Sequence, residues 1–386
     1  MTILIFILIL LGIVLNKISY KYCHYNLFYK REFSKKVVEI GEEISLNSIL
    51  ENKKILPVTF VRISEKFPNA FEYENKSNII ESTDGIFHTS TMSIMPFQRI
   101  KRTYSLKCSK RGAYSFSEVS LTAGDFLGVT TSNKEMSLNE EIVVLPKTYQ
   151  IEKNLIPYGN LSGDISVKRW IVEDPILMVG VTEYTGREPQ KWIHWPTSLR
   201  QGRLMVKKFD YTSDNKAMIL LNIESFKPFW MSIDEEGIEK CISIVRGVAE
   251  GFEDAKIPYG FINNGQILNK SSYGFGSDYI YPGTGENHLY SILECLGRIN
   301  YSIIMTFEEM VEKILKVDIR FTTLVLITPE VLEPYAEYID MLKEHTQKLI
   351  LITLKTENLH MVKSNIDIYI ERSDESGYDY TNKSSQ

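Results

Sequence analysis

Three of the chain's four tryptophans, Trp170, Trp192 and Trp195, lie in or beside one segment, residues 180–211, which reads GVTEYTGREPQKWIHWPTSLRQGRLMVKKFDY. Between Arg187 and Lys208 this segment holds six basic residues and one acid, Glu188. Trp192, His194, Trp195, Arg187, Arg200 and Arg203 therefore form a candidate contact surface, because aromatic and arginine side chains dominate the energetics of protein interfaces. If Trp192–Trp195 is extended, Trp192 and His194 share one face while Ile193 and Trp195 share the other. Two other chemistries use the same residue types. Trp and Arg serve equally well to seal a joint between domains. Basic and aromatic residues together also suit nucleic acid, but 44 Lys+Arg against 49 Asp+Glu give a net charge of −5, and a nucleic-acid binder needs a basic footprint.

No catalytic constellation emerges. Ser198 lies four residues after His194, but no G-x-S-x-G elbow frames it. Gly274-Phe275-Gly276 and Gly283-Thr284-Gly285 complete neither G-x-G-x-x-G nor G-x4-G-K-[ST], so they read as loop glycines. Cys23, Cys108, Cys241 and Cys295 are too sparse for a disulfide scaffold, and no C-x-x-C or Cys/His cluster signals zinc. The chain is expected to be no enzyme and to carry no cofactor.

The elements that must position the segment divide as follows. Residues 1–15 are apolar apart from Thr2 and Gly12, and about 22 Å long as a helix; extension to residue 20 reaches about 30 Å, the thickness of a hydrocarbon core. Residues 1–20 thus read as an uncleaved transmembrane anchor, since basic residues before the run and a cleavage site after it are missing. Residues 21–36 form a basic juxtamembrane segment, which by the positive-inside rule places a single-pass protein in the cell membrane with its soluble domains in the cytoplasm. Residues 37–150 hold short β-rich runs (VVEI, EISLNSI, LPVTFVRI, RTYSLKC, AYSFSEVSL, EIVVLP), predicting an immunoglobulin- or fibronectin-like sandwich. Residues 151–212 carry the segment above and the domain joint. In residues 213–372 strands (KAMILLNIES, YGFINN, TTLVLIT, KLILITL) alternate with helical patterns, predicting a doubly wound α/β domain. Residues 373–386 form a polar tail. The expected class is α+β multidomain.

The string G-x-x-E-Y…W-I-H-W-x-x-S-x-R-x-G-R-L-M-V-K-x-F resembles the signature of domain-of-unknown-function family 58. IGEEISLNSILENKKILPVTFVRI, KRGAYSFSEVSLTAGDFLGV, IVVLPK and YPGTGENHLYSILECLGRI agree in order, so the resemblance spans nearly everything after residue 35. The chain departs from the family pattern at Thr182, Arg187-Glu188 and Lys191, where the family writes Arg, an Asp-bearing turn and Arg. The resemblance implies a membrane-tethered protein with a β-sandwich-like module, a degenerate von Willebrand factor A-like domain, and a MoxR-type AAA+ ATPase as partner. It supplies no biochemical activity. Where A domains hold Mg²⁺ with Asp-x-Ser-x-Ser, this chain has Asn222, Glu224 and Phe226, with Thr328 and Glu330 after a later strand. With an amide for the carboxylate and Phe226 lacking oxygen, the expectation is no metal, Asn222 bracing the strand end instead. The expected function is a membrane-anchored adaptor assisting assembly or maturation of cell-envelope or other protein complexes. The alternatives are an enzyme with a pocket near residues 263–285, or a metal-dependent adhesion module.

Overall fold

The computed structural model describes all residues except 1, 74–78, 83–84, 151–172, 185–191, 212–215, 229–231, 269–278, 317–320, 372–377 and 383–386. After helix α1 (Thr2–Lys21) come, among the described residues, ten strands in two sheets. The first sheet runs β1-β3-β8-β5, from β1 (Leu27–Phe33), β3 (Glu43–Asn52), β8 (Arg99–Cys108) and β5 (Phe71–Tyr73). The second runs β2-β10-β9-β4-β7-β6, from β2 (Val37–Glu39), β10 (Thr131–Leu145), β9 (Gly112–Gly124), β4 (Val58–Phe67), β7 (Gly85–Ile94) and β6 (Ile79–Ser82). All pairs are antiparallel except β2 on β10. Period-two alternation drives the layering. In β4, Val61, Ile63, Glu65 and Phe67 are buried, whereas Arg62 is exposed. Two apolar clusters fill the interior, one around Leu46, Phe67, Phe71 and Phe116, the other around Leu50, Val61, Ile63 and Leu121. A buried polar network adjoins both: Arg31, 1% exposed, lies over the Phe116 ring, and its guanidinium reaches Glu65 at 3.4 Å. Tyr29 Oη donates to the same carboxylate. This pairing and bonding is what permits a charge to be buried there.

The C-terminal part contains β13 (Ala217–Leu221), α3 (Glu235–Asp254), β14 (Tyr259–Asn263), β15 (Gly265–Ile267), β16 (Tyr279–Gly283), α4 (Glu286–Arg298), β17 (Ile299–Ile303), α5 (Phe307–Leu315), β18 (Thr323–Thr328), α6 (Tyr335–Glu344), β19 (Lys348–Thr353), β20 (Asp367–Glu371) and β21 (Tyr378–Asn382). Its seven-stranded sheet runs β16-β14-β13-β18-β19-β20-β21. The five inner strands pair in parallel, and β16 and β21 run antiparallel at the two edges. Every residue of β13 is buried, as a strand covered on both faces requires. Ala217, Ile219 and Leu221 share a cluster with α3 and α4; Met218 and Leu220 share one with α5 and α6. Helix α3 starts where the Asp234 side chain accepts from Gly237 N at 3.0 Å. It buries the stripe Ile238, Cys241, Ile242, Val245, Ala249 and Phe252.

These findings correct the expected class. The molecule is mostly β: strands dominate, and the helices are few and mostly short. In the C-terminal part β15 and β17 form a separate pair, β16 and β21 run antiparallel at the edges, and β19 reaches β20 through only a 3-10 turn, Leu359–Met361, so the regular strand–helix alternation of the expected doubly wound von Willebrand A-like domain is not what forms. Apolar runs signal buried strands but not the direction in which edge strands pair. The transmembrane anchor is corrected too. Among the described residues no helix is long and apolar enough to cross a membrane. The physical reason lies in the end of α1, where Asn16 Nδ2 donates to Asp125 at 2.9 Å and Asn16 Oδ1 accepts from Leu127 N at 3.2 Å. Those bonds hold residue 16 against the sandwich and leave an apolar stretch of about 21 Å, short of a hydrocarbon core. The single-pass placement in the cell membrane with cytoplasmic domains rested on that span and falls with it. Leu27–Phe33, read as juxtamembrane, is instead strand β1, and its Arg31 points into the core.

Candidate interaction site

The segment singled out by its tryptophans folds as a short helix laid on a strand pair. Strands β11 (Glu173–Glu183) and β12 (Met205–Tyr211) are antiparallel, with Thr182 opposite Val206 and Glu183 opposite Met205. Between them runs α2, Trp195–Gln201. Its start is set by His194, whose Nδ1 accepts from Thr197 N at 3.3 Å, and by Pro196 in the first turn. Its end is set by Gly202, in the left-handed region at φ 66°. Ser198, buried, joins helix to strand: its Oγ donates to His194 O at 3.0 Å and accepts from Met205 N at 2.8 Å. His194 N donates to Met205 O at 2.8 Å, and Ile193 bridges Val206.

This anchoring sorts the candidate residues. The chain does not continue extended through Trp195, so the expected alternation of faces ends at His194. Ile193 is buried, Trp192 and His194 are half-buried, and Trp195 begins the helix on its open side. Trp195 is 61% exposed and Leu199, one turn later, 82%. Arg200 and Arg203 are exposed beside them, with Arg203 Nη1 donating to Glu183 at 3.1 Å. Arg187 lies outside the described residues. Leu199 belongs to the same surface although its residue type carried no signal in the sequence; only a helix starting at Trp195 places the two together.

The strand-end residues Asn222, Glu224, Thr328 and Glu330 are also brought together. Asn222 Nδ2 donates to Thr328 Oγ1 at 3.0 Å and to Glu224 O at 3.3 Å. Asn222 Oδ1 accepts from Glu224 N at 3.1 Å and from Asn264 Nδ2 at 2.7 Å. Thr328 Oγ1 donates to Glu330 O at 2.9 Å, and Glu330 Oε2 accepts from Lys355 Nζ at 2.8 Å. Glu224, fully buried, accepts from Phe307 N at the start of α5, at 3.1 Å. Burial beside Glu224 pushes the Tyr335 hydroxyl far above its ordinary value, and that hydroxyl donates to Glu224 O at 3.5 Å. The side-chain groups of Asn222 are thus occupied by protein, in a brace across three strand ends. Among the described residues no group of three or more His, Cys, Asp or Glu is placed to hold a metal. The loop proposed as an enzyme's pocket, residues 263–285, falls partly outside the described residues, including Gly274 and Gly276.

Three buried arginines that the sequence left unmarked join the sandwich to the C-terminal part. Arg111 donates from Nε to both Glu239 oxygens at 3.0 Å and from Nη1 to Leu296 O and Ile299 O at 2.7 and 2.8 Å. Arg246 donates to Glu39 at 2.6 and 3.0 Å and to Glu250 at 2.7 Å. Arg298 pairs with Glu141 at 2.8 Å and Glu294 at 2.9 Å. Val143 and Leu145 enter the same apolar cluster as α3 and α4. The joint is therefore built by β2, β10 and the β8–β9 turn against α3, α4 and the start of β17.

No family model matches the chain. It is similar to an uncharacterised Bacillus subtilis protein, YeaD, at 20% identity over 273 residues, which cover 69% of this chain and 61% of the relative. The chain thus spans about three-fifths of that relative's length. Among solved structures, the CARDB domain of PF1109 from Pyrococcus furiosus in complex with di-metal ions is 13% identical, with a TM-score of 0.22, over 31% of this chain and 91% of that one. Native α2-macroglobulin from Escherichia coli, from domain MG7 to the C-terminus, is 13% identical with a TM-score of 0.25, over 31% of this chain and 24% of that one. Likenesses this slight carry no argument about function.

Proposed function

We propose that this chain is a non-enzymatic adaptor that presents the α2 surface to a protein partner, assisting the assembly or maturation of protein complexes. The observation that carries this is the pair Trp195 and Leu199, 61% and 82% exposed one turn apart on a helix whose other side is fixed to β12 through Ser198. A large aromatic side chain kept in water on a rigid support is the usual make-up of an interface anchor. With Arg200 and Arg203 beside it, the complementary surface is an apolar pocket rimmed by acids. The resemblance of the signature string to domain-of-unknown-function family 58 implies the partner, a MoxR-type AAA+ ATPase. The test is capture of that purified ATPase by the tagged full-length chain, with and without nucleotide. Trp195→Ala with Leu199→Ala lowers capture at least tenfold. Undiminished capture by a folded double variant removes α2 from the contact.

A further inference from the structure

We propose that three loop tips at the end of the sandwich where α1 leaves form a docking surface for an anionic lipid surface, touched from one side. This surface is separate from α2 and goes beyond the adaptor reading. Six large apolar side chains stand there in water, each more than half exposed: Ile55 in the β3–β4 loop, Met95 and Phe97 in the β7–β8 turn, and Phe126, Leu127 and Val129 in the β9–β10 turn. Side-chain bonds gather the three tips at one end. Thr59 Oγ1, at the start of β4, donates to Asp125 O at 2.9 Å and to Phe126 O at 3.1 Å. Asn52 Nδ2, at the end of β3, donates to Leu56 O and Met95 O, both at 3.0 Å. The tips are also preformed. The Asp125 carboxylate accepts from Val129 N at 2.8 Å and from Thr130 N at 3.1 Å, closing the β9–β10 turn. Phe97 sits in the left-handed region at φ 55° and is 71% exposed, so neither burial nor backbone ease explains a phenylalanine at that position.

Isolated exposed apolar residues are ordinary, but a contiguous group of them marks a surface that something covers. Charge identifies the cover. The segments that carry or flank the tips, residues 16–25, 51–59, 94–101 and 124–131, hold six bases and two acids. Lys17, Lys21, Lys53 and Arg99 are exposed among them. Both acids are occupied: Asp125 is buried and bonded to Asn16 and the turn amides, and Glu51 pairs with Lys53 at 3.5 Å. Tyr20, Tyr22 and Tyr25 are exposed in the same stretch as Lys17 and Lys21, which Lys54 fixes to the β3–β4 loop by donating to Cys23 O at 2.6 Å and Tyr25 O at 2.9 Å. Apolar tips, amphipathic tyrosines and a collar of cations match the acyl chains, boundary and phosphate headgroups of an anionic lipid surface. A second copy of the chain fits worse, because it would set the same cations against one another. Helix α1 adds apolar side chains at this end, yet the contact needs no segment to cross.

The experiment measures co-sedimentation of the purified chain with vesicles of equal parts phosphatidylcholine and phosphatidylglycerol, and with vesicles of phosphatidylcholine alone. Binding at least tenfold tighter to the anionic vesicles is expected, weakening as salt rises from about 0.1 M to about 0.5 M. Phe97→Ser with Leu127→Ser, at exposed positions outside the core, lowers that binding at least tenfold. A fluorophore on Leu127→Cys, the four native cysteines being buried, shifts to the blue on anionic vesicles, and one on Lys110→Cys in the β8–β9 turn does not. No binding to anionic vesicles overturns the proposal and leaves the tips to a protein partner. Equal binding to both vesicle types overturns it as well, as does undiminished binding by the folded double variant, which places the contact on α1 alone. None of these readouts involves α2 or the ATPase, so failure of the adaptor reading leaves them unchanged.

Discussion

Replacing Arg111 by Ala should loosen the sandwich from the C-terminal part, and the structure sets the size of the effect. The side chain is 2% exposed and serves one carboxylate and two backbone carbonyls, Leu296 O and Ile299 O. Glu239 is 33% exposed and keeps the Tyr301 hydroxyl at 2.9 Å, so its carboxylate finds other solvation and contributes little to the loss. The two carbonyls have no such recourse, and each buried acceptor left without a donor costs roughly 1–3 kcal/mol. Together with lost side-chain packing the change costs about 3–5 kcal/mol, in the range found when one partner of a buried ion pair is removed. Scanning calorimetry of full-length protein should show the first transition lowered by on the order of 10 °C. Arg111→Lys should recover only part, because one ammonium cannot reproduce the planar fork that reaches Glu239 and both carbonyls. Melting of Arg111→Ala within about 0.5 kcal/mol of the native chain, the level of an ordinary surface substitution, would refute the claim that this residue holds the joint.

The other expectations concern single sites. Gly297→Ala should destabilise the same joint by about 1–3 kcal/mol, since its Cβ would stand 2.6 Å from Val143 Cγ1 and 3.1 Å from Val144 O; a calorimetric trace like the native one would contradict this. Asn222→Ala strips both donors and the acceptor from the strand-end brace and should cost roughly 2–4 kcal/mol, measured as a lower urea midpoint with unchanged slope. Burial holds the His24 imidazole below its ordinary value, while its Nε2 lies 3.0 Å from Ser132 O. Between the folded and ordinary values the unfolded chain binds the additional proton, so this contribution is present above the ordinary value and is lost as pH falls. Thermal stability should therefore drop between pH 7 and pH 5, and less so in His24→Gln; equal pH dependence of the two proteins would rule out His24 as the cause.

Local structure was legible wherever one residue pattern sufficed. The apolar run KAMILLNIES contains β13, TTLVLIT contains β18, and the helical pattern expected between the strands is met by α3, because burial on both faces or along one stripe is written directly in residue type. Class and placement were not legible, since they depend on contacts between distant residues. Nothing near residue 16 announces that Asn16 will bond Asp125, 109 positions away, and shorten the apolar stretch. The antiparallel edges β16 and β21 are set by chain return, to which hydropathy is blind. LFYKREF looked like a basic membrane-proximal stretch because its charges were counted, whereas its alternation of Leu27, Tyr29 and Arg31 is what decided its fate. At the candidate site the aromatic and basic residues stood out by type, yet Leu199 and the capping role of His194 emerged only once the chain was seen to turn into a helix at Trp195.

The central claim is that α2 is a contact surface, and the most direct measurement is equilibrium binding of the chain to a purified MoxR-type AAA+ ATPase, the partner proposed above. The native chain should bind, Trp195→Ala/Leu199→Ala should bind at least tenfold more weakly while melting at the native temperature, and an exposed substitution on the sandwich such as Phe97→Ala should leave affinity unchanged. Equal affinity for the native chain and the folded double variant would contradict the account.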